Sequence, residues 1–203
     1  MKVILEKYFE TIRKLFFEIG IKSINMDDIC NELGISKKTL YKEYANKKEL
    51  VTDVFNKDFY DFKIKLISAQ KNCPDAIDQT CIIFKLIAEK QNSLSLASLY
   101  DLRKYYHQLF DDIAGMMNYL ILETISSTLN RGVAEKNFRE DIEPDKIAAI
   151  VSFIFESAMM RPITNLTNNS VSWSDNNFLD YHFKSICKQE GLELWHKEKA
   201  NIK

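Results

Sequence analysis

Glycine and proline are scarce in this chain, five and three in 203 residues. With so few backbone breakers, and with no long segment alternating apolar and polar residues, a strand-rich fold is disfavoured and an all-α fold is expected. Cysteine is sparse too. Cys30, Cys73, Cys81 and Cys187 form no C-x-x-C pair and no close Cys/His spacing of the zinc kind, so reduced thiols in a cytosolic protein are expected and no metal site. The three histidines, His107, His182 and His196, make no i, i+4 pair, and H-E-x-x-H, a nucleophile elbow and a Gly-rich phosphate loop are all missing. Neither an enzyme nor a cofactor is expected. Long hydrophobic runs are lacking as well: the longest, Ile147 to Phe155, is about half of the ~20 residues a membrane span needs. The N-terminus meets charge at Glu6 and Lys7, too early for a signal-peptide core. The expected location is cytoplasmic.

Excess charge of one sign is missing over the whole chain, whose net charge is −1, so a protein that coats a polyanion with its entire surface is excluded. The basic charge is concentrated locally. Within "ISKKTLYKEYANKKEL", Ile35 to Leu50, five lysines face two glutamates. Composition is otherwise that of an ordinary globular protein, with 46% hydrophobic and 28% charged residues.

The apolar spacing predicts a first helix carrying Ile4, Tyr8, Ile12, Leu15, Phe16 and Ile19, ended by Gly20 in the left-handed conformation. Asn25 is placed to cap a short helix, Met26 to Leu33, with Asp27 and Asp28 in its first turn. Gly34 breaks that helix, and Ser36 is placed to cap a third, Lys37 to Tyr44. A fourth, about 47–71, carries an apolar seam from Leu50 to Ile67 and is expected to connect two domains, 1–46 and 47–203. Further helices are expected over about 75–92, 96–106 and 109–136, then one opened by Pro144, a loop over Thr164 to Asn177, and a last amphipathic helix with Phe178, Leu179, His182, Phe183 and Ile186.

The second and third helices are separated by a short turn that begins with Gly34, which is helix-turn-helix spacing. Ile29, Leu33, Ile35 and Leu40 would make the small core that sets the crossing angle. Lys37, Lys38, Thr39, Tyr41, Lys42 and Glu43 then point variously outward. Lysine ammonium groups neutralise phosphates, the hydroxyls of Ser36, Thr39 and Tyr41 hydrogen-bond phosphate oxygens, and Lys can donate to guanine O6 or N7. Lys47 and Lys48 open the fourth helix, whose first amides also suit an anion.

Over the same residues, "LFFEIGIKSINMDDICNELGISKKTLYKEYANKKELV" resembles the TetR/AcrR family of bacterial transcriptional regulators, which shows L-F, G, D-I, L-G-[IV]-S-K-x-x-L-Y and N-K-x-E-L in this order. The resemblance covers about the first 55 residues. It implies that Lys37 and Thr39 approach bases, that Lys38 and Lys42 lie near bases or backbone, and that Tyr41 and Lys47 clamp phosphates. Glu43 departs from the family pattern: it either accepts from a cytosine N4 or turns back toward Lys47.

The resemblance further implies a three-helix DNA-binding head, a larger helical domain for ligand binding and dimerisation, and a homodimer joined by the last two long helices. Ile147, Ile150, Val151, Phe153, Ile154 and Phe155 cover nearly the whole circumference of their helix, so one face suits the chain's own core and another suits a partner. Twofold symmetry implies a roughly palindromic double-stranded DNA operator. The family's inducer cavity puts an unknown small-molecule ligand near Phe84, Tyr100, Tyr105, Tyr106, His107, Met116, Met117 and Tyr119. The function so implied is a regulator, a repressor released by its inducer. An activator, or a helical interaction protein using the same head, is the alternative.

Overall fold

The structure is a computed structural model that describes residues 2–160 and 176–201. Among these residues it is all-α: α1 (Val3–Lys14), a π-helical turn (Leu15–Ile19), α2 (Met26–Leu33), α3 (Lys37–Glu43), α4 (Lys47–Asn72), α5 (Ala76–Asn92), α6 (Leu96–Tyr105), α7 (His107–Ala134), α8 (Pro144–Met160), α9 (Asn176–Ile186) and α10 (Gln189–Asn201). The expected loop at Thr164 to Asn177 lies outside the described residues up to position 175. The terminal helix α10 was not foreseen. No helix among the described residues is long and apolar enough to cross a membrane.

The chain divides into two compact units, Met1–Phe62 with Asn92–Gly115, and Lys63–Gln91 with Met116–Lys203. This grouping differs from the expected boundary after residue 46. The first unit takes in the N-terminal part of α4, all of α6 and the start of α7, because these pack on the head's own core. That core includes Ile12, Phe16, Ile21, Ile29, Leu40, Leu50, Val54, Leu102 and Phe110, all buried.

The apolar phase of the first helix differs from its expected pattern. Tyr8 leaves helical geometry at φ −121°, and the backbone widens into the π turn at Leu15. The buried set becomes Ile4, Leu5, Phe9, Ile12, Phe16 and Phe17, while Ile19 is exposed. The π turn is secured from α6, whose N-cap is Ser95. The Ser95 N–H donates to the Phe17 carbonyl at 2.8 Å, and the buried Ser98 Oγ donates to the carbonyls of Phe16 at 2.5 Å and Phe17 at 3.1 Å. Gly20 then ends the segment at φ 121°, ψ 141°, outside the left-handed helical basin and in a region that side chains rarely enter. The carboxylate of Asp101 on α6 fastens the next turn, accepting the Lys22 N–H at 2.7 Å.

In the second unit Arg131 of α7 organises the junction between α4 and α5. Its guanidinium donates to Gln79 Oε1 at 2.8 Å, to the carbonyls of Cys73 at 3.1 Å and Pro74 at 2.9 Å, and to Glu135 Oε1 at 2.6 Å. The other oxygen of Glu135 accepts the Ala76 N–H at the start of α5, at 2.8 Å. One side chain thus meets orphan carbonyls at a helix C-terminus, and its partner meets an orphan amide at the next N-terminus. Phe84, Phe178, His182, Phe183 and Trp195 pack as an aromatic cluster, with the His182 ring 4.9 Å from Phe84 and the Phe183 ring 4.7 Å from Trp195. Burial lowers the His182 pKa to about 4, so it is neutral at physiological pH.

Helix α8 carries two faces. Ala148, Val151, Ser152 and Phe155 are buried, whereas Ile150, Phe153 and Ile154 are exposed, Phe153 at 68%. Tyr119 and Leu122 of α7 are likewise exposed.

Candidate nucleic-acid interface

The geometry of the head begins with its caps. Asn25 Oδ1 accepts the N–H groups of Asp27 and Asp28 at 2.8 and 3.0 Å, and Asp28 returns a carboxylate oxygen to the Asn25 N–H at 2.7 Å. This reciprocal box, with two carboxylates in the first turn, fixes where α2 starts. Gly34 ends it at φ 63°, ψ 33°, the left-handed cap that glycine adopts without strain. Two residues later Ser36 Oγ accepts the Thr39 N–H at 3.1 Å and caps α3, which begins at Lys37. Leu40, with no exposed surface, pins α3 to the core shared with Ile29 and Leu33. Replacing such a leucine by alanine costs about 2–5 kcal/mol, so the crossing angle rests heavily on this one side chain.

With Leu40 turned inward, Lys37, Lys38, Thr39, Tyr41 and Lys42 lie on the exposed side of α3. Tyr41 is 48% exposed although the residue type favours burial. The hydroxyls of Ser36 and Thr39 are 2.7 Å apart and hydrogen-bonded to each other. Lys37 Nζ reaches Asp27 Oδ2 at 2.6 Å, and this hydrogen bond raises its pKa, so the cation is steadied at the junction of α2 and α3. Lys38, Lys42 and Lys48 are exposed.

Two residues stand differently from expectation. Lys47 does not extend into solvent: its ammonium donates to the Ile21 carbonyl, and burial lowers its pKa. Glu43 neither faces outward nor turns to Lys47. Its Oε2 accepts the Ile4 N–H at 2.9 Å, so it serves as an N-terminal cap for α1 supplied by α3. The pairing spans 39 residues, which is why no local pattern announces it. Asn46 and Glu49 close α4 in a similar way, Asn46 Oδ1 accepting the Glu49 N–H and Glu49 accepting the Ala45 N–H, both at 3.0 Å.

The residues expected near a ligand are divided. Tyr100, Tyr105, Tyr106 and His107 belong to the first unit, and Phe84, Met116, Met117 and Tyr119 to the second. Phe84 and Met117 are buried, Tyr106 is half-buried, and Tyr100, Tyr105, His107, Met116 and Tyr119 are exposed. The first-unit tyrosines are engaged: Lys104 Nζ donates to Tyr100 Oη at 2.8 Å and Lys22 Nζ to Tyr105 Oη at 3.0 Å.

The comparisons agree with this geometry. The sequence model of bacterial regulatory proteins, tetR family, matches residues 9–54, the segment from mid-α1 through the start of α4. An HTH-type transcriptional regulator of Staphylococcus aureus (strain bovine RF122 / ET3-1) is 40% identical over 53 residues, 26% of this chain and 29% of that protein. The chain therefore matches less than a third of the length of this relative. Among solved structures, a TetR family transcriptional regulator from Agrobacterium tumefaciens superposes with a TM-score of 0.65 at 13% identity, over 90% of this chain and 97% of that one. A transcriptional regulator from Saccharomonospora viridis, solved in complex with choline, gives a TM-score of 0.62 at 17% identity, over 91% and 97%. At such identities the structural likeness speaks for the fold alone. The family's sequence model thus matches the head, and the helical fold of the chain is shared with solved transcriptional regulators over about nine-tenths of its length.

Proposed function

We propose that this protein is a sequence-specific DNA-binding transcriptional regulator that acts as a homodimer and is a repressor released by a small molecule. The observation that carries the reading is α3: a capped helix anchored by Leu40, with Lys37, Lys38, Thr39, Tyr41 and Lys42 on its exposed side, in helix-turn-helix arrangement with α2. Such a helix fits a major groove, where phosphate contacts fix register and base-edge contacts select sequence. Lys47 joins the phosphate contacts once its ammonium leaves the Ile21 carbonyl. The exposed Ile150, Phe153 and Ile154 on α8 and Tyr119 and Leu122 on α7 support a twofold contact with a second copy, which implies a roughly palindromic operator.

Release follows from population shift: a ligand that binds better to one arrangement of the chain lowers the fraction competent for DNA by its difference in affinity. The expected ligand region, around the buried Phe84 and Met117 of the second unit, belongs to this proposal. The S. viridis regulator shows that a relative of the same fold accommodates choline. The test is a gel-shift titration of the purified protein on DNA from upstream of its own gene. Salt-sensitive binding that is lost in Lys37→Ala/Tyr41→Ala supports the reading, and binding that survives this double substitution overturns the assignment of α3 as the reading helix.

A further inference from the structure

Beside the helix-turn-helix the first unit carries a second basic surface that no part of the proposed reading uses. It is built from the turn after Gly20 and the C-terminal end of α6. Lys22 Nζ donates to Tyr105 Oη at 3.0 Å and lies 5.1 Å from the centroid of the same ring. Lys104 Nζ donates to Tyr100 Oη at 2.8 Å and lies 5.1 and 5.4 Å from the Tyr100 and Tyr105 ring centroids. Next to them Arg103 sits over the Phe110 ring at 5.6 Å.

What distinguishes these cations is the nature of their partners. Lys2, Lys37, Lys57, Lys146, Lys188 and Lys199 each sit on a carboxylate, which cancels their field at a distance. Lys22 and Lys104 are held instead by phenol hydroxyls and ring faces, which steady an ammonium without neutralising it. Of the three donors on each ammonium, Lys22 uses one on Tyr105 and Lys104 reaches both Tyr100 and Tyr105, so each keeps at least one for another acceptor. The neighbouring carboxylate, Asp101, is buried and accepts the Lys22 backbone N–H, and its charge favours the Lys22 ammonium from beneath, as a smaller influence than Tyr105. Cations that are already ordered lose less side-chain entropy when they bind an anion.

The position of the surface identifies the anion. Lys22 lies in the turn that leads to the capped N-terminus of α2, and Lys47 at the start of α4 donates to the carbonyl of the preceding residue, Ile21. The Lys22/Lys104 pair thus continues the edge of the head that begins with Lys47, and lies within the same compact unit.

We propose that Lys22 and Lys104, braced by Tyr105 and Tyr100, form an auxiliary phosphate-binding surface that grips the DNA backbone beside the half-site read by α3. This rests on the DNA-binding reading above and extends the footprint to α6. The contact is to phosphates alone, so it adds affinity without sequence preference.

The experiment compares the wild-type dimer with Lys22→Gln/Lys104→Gln on two duplexes, the fragment upstream of its own gene and a random-sequence duplex, across a series of salt concentrations. Loss of the contacts lowers the slope of log K against log salt by roughly one for each lysine removed per protomer, and weakens both duplexes by the same factor. Lys22→Arg/Lys104→Arg keeps the charge and restores the slope. Tyr105→Phe removes only the hydroxyl, keeping the slope while weakening binding modestly. An unchanged slope in the Gln variant overturns the inference while leaving the DNA-binding reading intact, and so does a loss confined to the specific fragment. A wild-type protein that binds neither duplex overturns both.

Discussion

Removing the carboxylate of Glu43 tests an interaction that connects both ends of the head. The Ile4 N–H donates to Glu43 Oε2 at 2.9 Å, and Ile4 lies in the first turn of α1, where amides lack helical partners. A hydrogen bond to a charged group contributes about 1.5–3 kcal/mol. Loss of a helix cap costs about 0.5–2 kcal/mol. Glu43 is only half-buried, so water replaces part of what is lost, and Glu43→Ala is expected to destabilise the first unit by about 1–2 kcal/mol. For a chain of this size that lowers Tm by about 2–8 °C. Glu43→Gln keeps an acceptor oxygen and loses only the charge facing the helix dipole, a smaller change of about 0.3–1 kcal/mol. Thermal unfolding followed by circular dichroism reads the stability, and amide hydrogen exchange reads Ile4 directly. Exchange at Ile4 should accelerate in the alanine variant, with operator base preference unchanged. If Ile4 exchange is unaffected while preference shifts at one base pair, the carboxylate faces DNA and the capping role is wrong.

Two further outcomes follow from the second unit. Phe153, 68% exposed, leaves roughly 100–170 Å² of ring surface in water in the isolated protomer. Its burial in a twofold contact occurs twice, so Phe153→Ala is expected to weaken the dimer by about 3 kcal/mol, or roughly 100-fold in Kd, by sedimentation analysis; an unchanged Kd would remove α8 from the interface. His182 gives a pH dependence. Above about pH 6.5 the imidazole is neutral in both folded and unfolded chains. Below it the unfolded chain takes up a proton that the folded chain, with its pKa lowered to about 4, refuses. Urea stability should therefore fall between pH 6.5 and 4, by roughly 3 kcal/mol in all. His182→Phe should flatten that part of the profile, and a wild-type curve already flat there would place the ring in water.

Short-range chemistry made most of the head readable from sequence. Asn25 with Asp28, Gly34, and Ser36 with Thr39 each act within a few residues, so the limits of α2 and α3 follow from side chains and cap rules alone. The exposed lysines of α3 were legible for the same reason, since burying Leu40 turns its neighbours outward. What escaped depends on partners distant in the chain. Glu43 meets Ile4, Lys47 meets Ile21, and Asp101 meets Lys22 across a separation of 79 residues. The resemblance puts Tyr100 and Tyr105 near a ligand, while their hydroxyls accept hydrogen bonds from Lys104 and Lys22 at the surface. An aromatic residue with a polar tip suits a pocket and a wet surface equally. Periodicity also could not reveal the change of phase in the first helix, because an even 3.6-residue pattern has no place for a π turn.

That π turn has a bearing on how such a chain tolerates change in length. A wider turn accommodates a residue that a regular helix would not, and here its freed carbonyls at Phe16 and Phe17 are claimed by Ser95 and Ser98. Loss of a single residue between Leu15 and Ile19 would restore a regular helix and return its carbonyls to intrahelical partners, which withdraws them from Ser95 and Ser98. Substitutions in this stretch alter side chains that α6 does not touch through its serine bonds, since those bonds are made to backbone oxygens. The tie to α6 is therefore indifferent to the side chains of this stretch, while Phe16 and Phe17 stay fixed by their burial in the core, so aligning it with relatives of different length should start from the two serines.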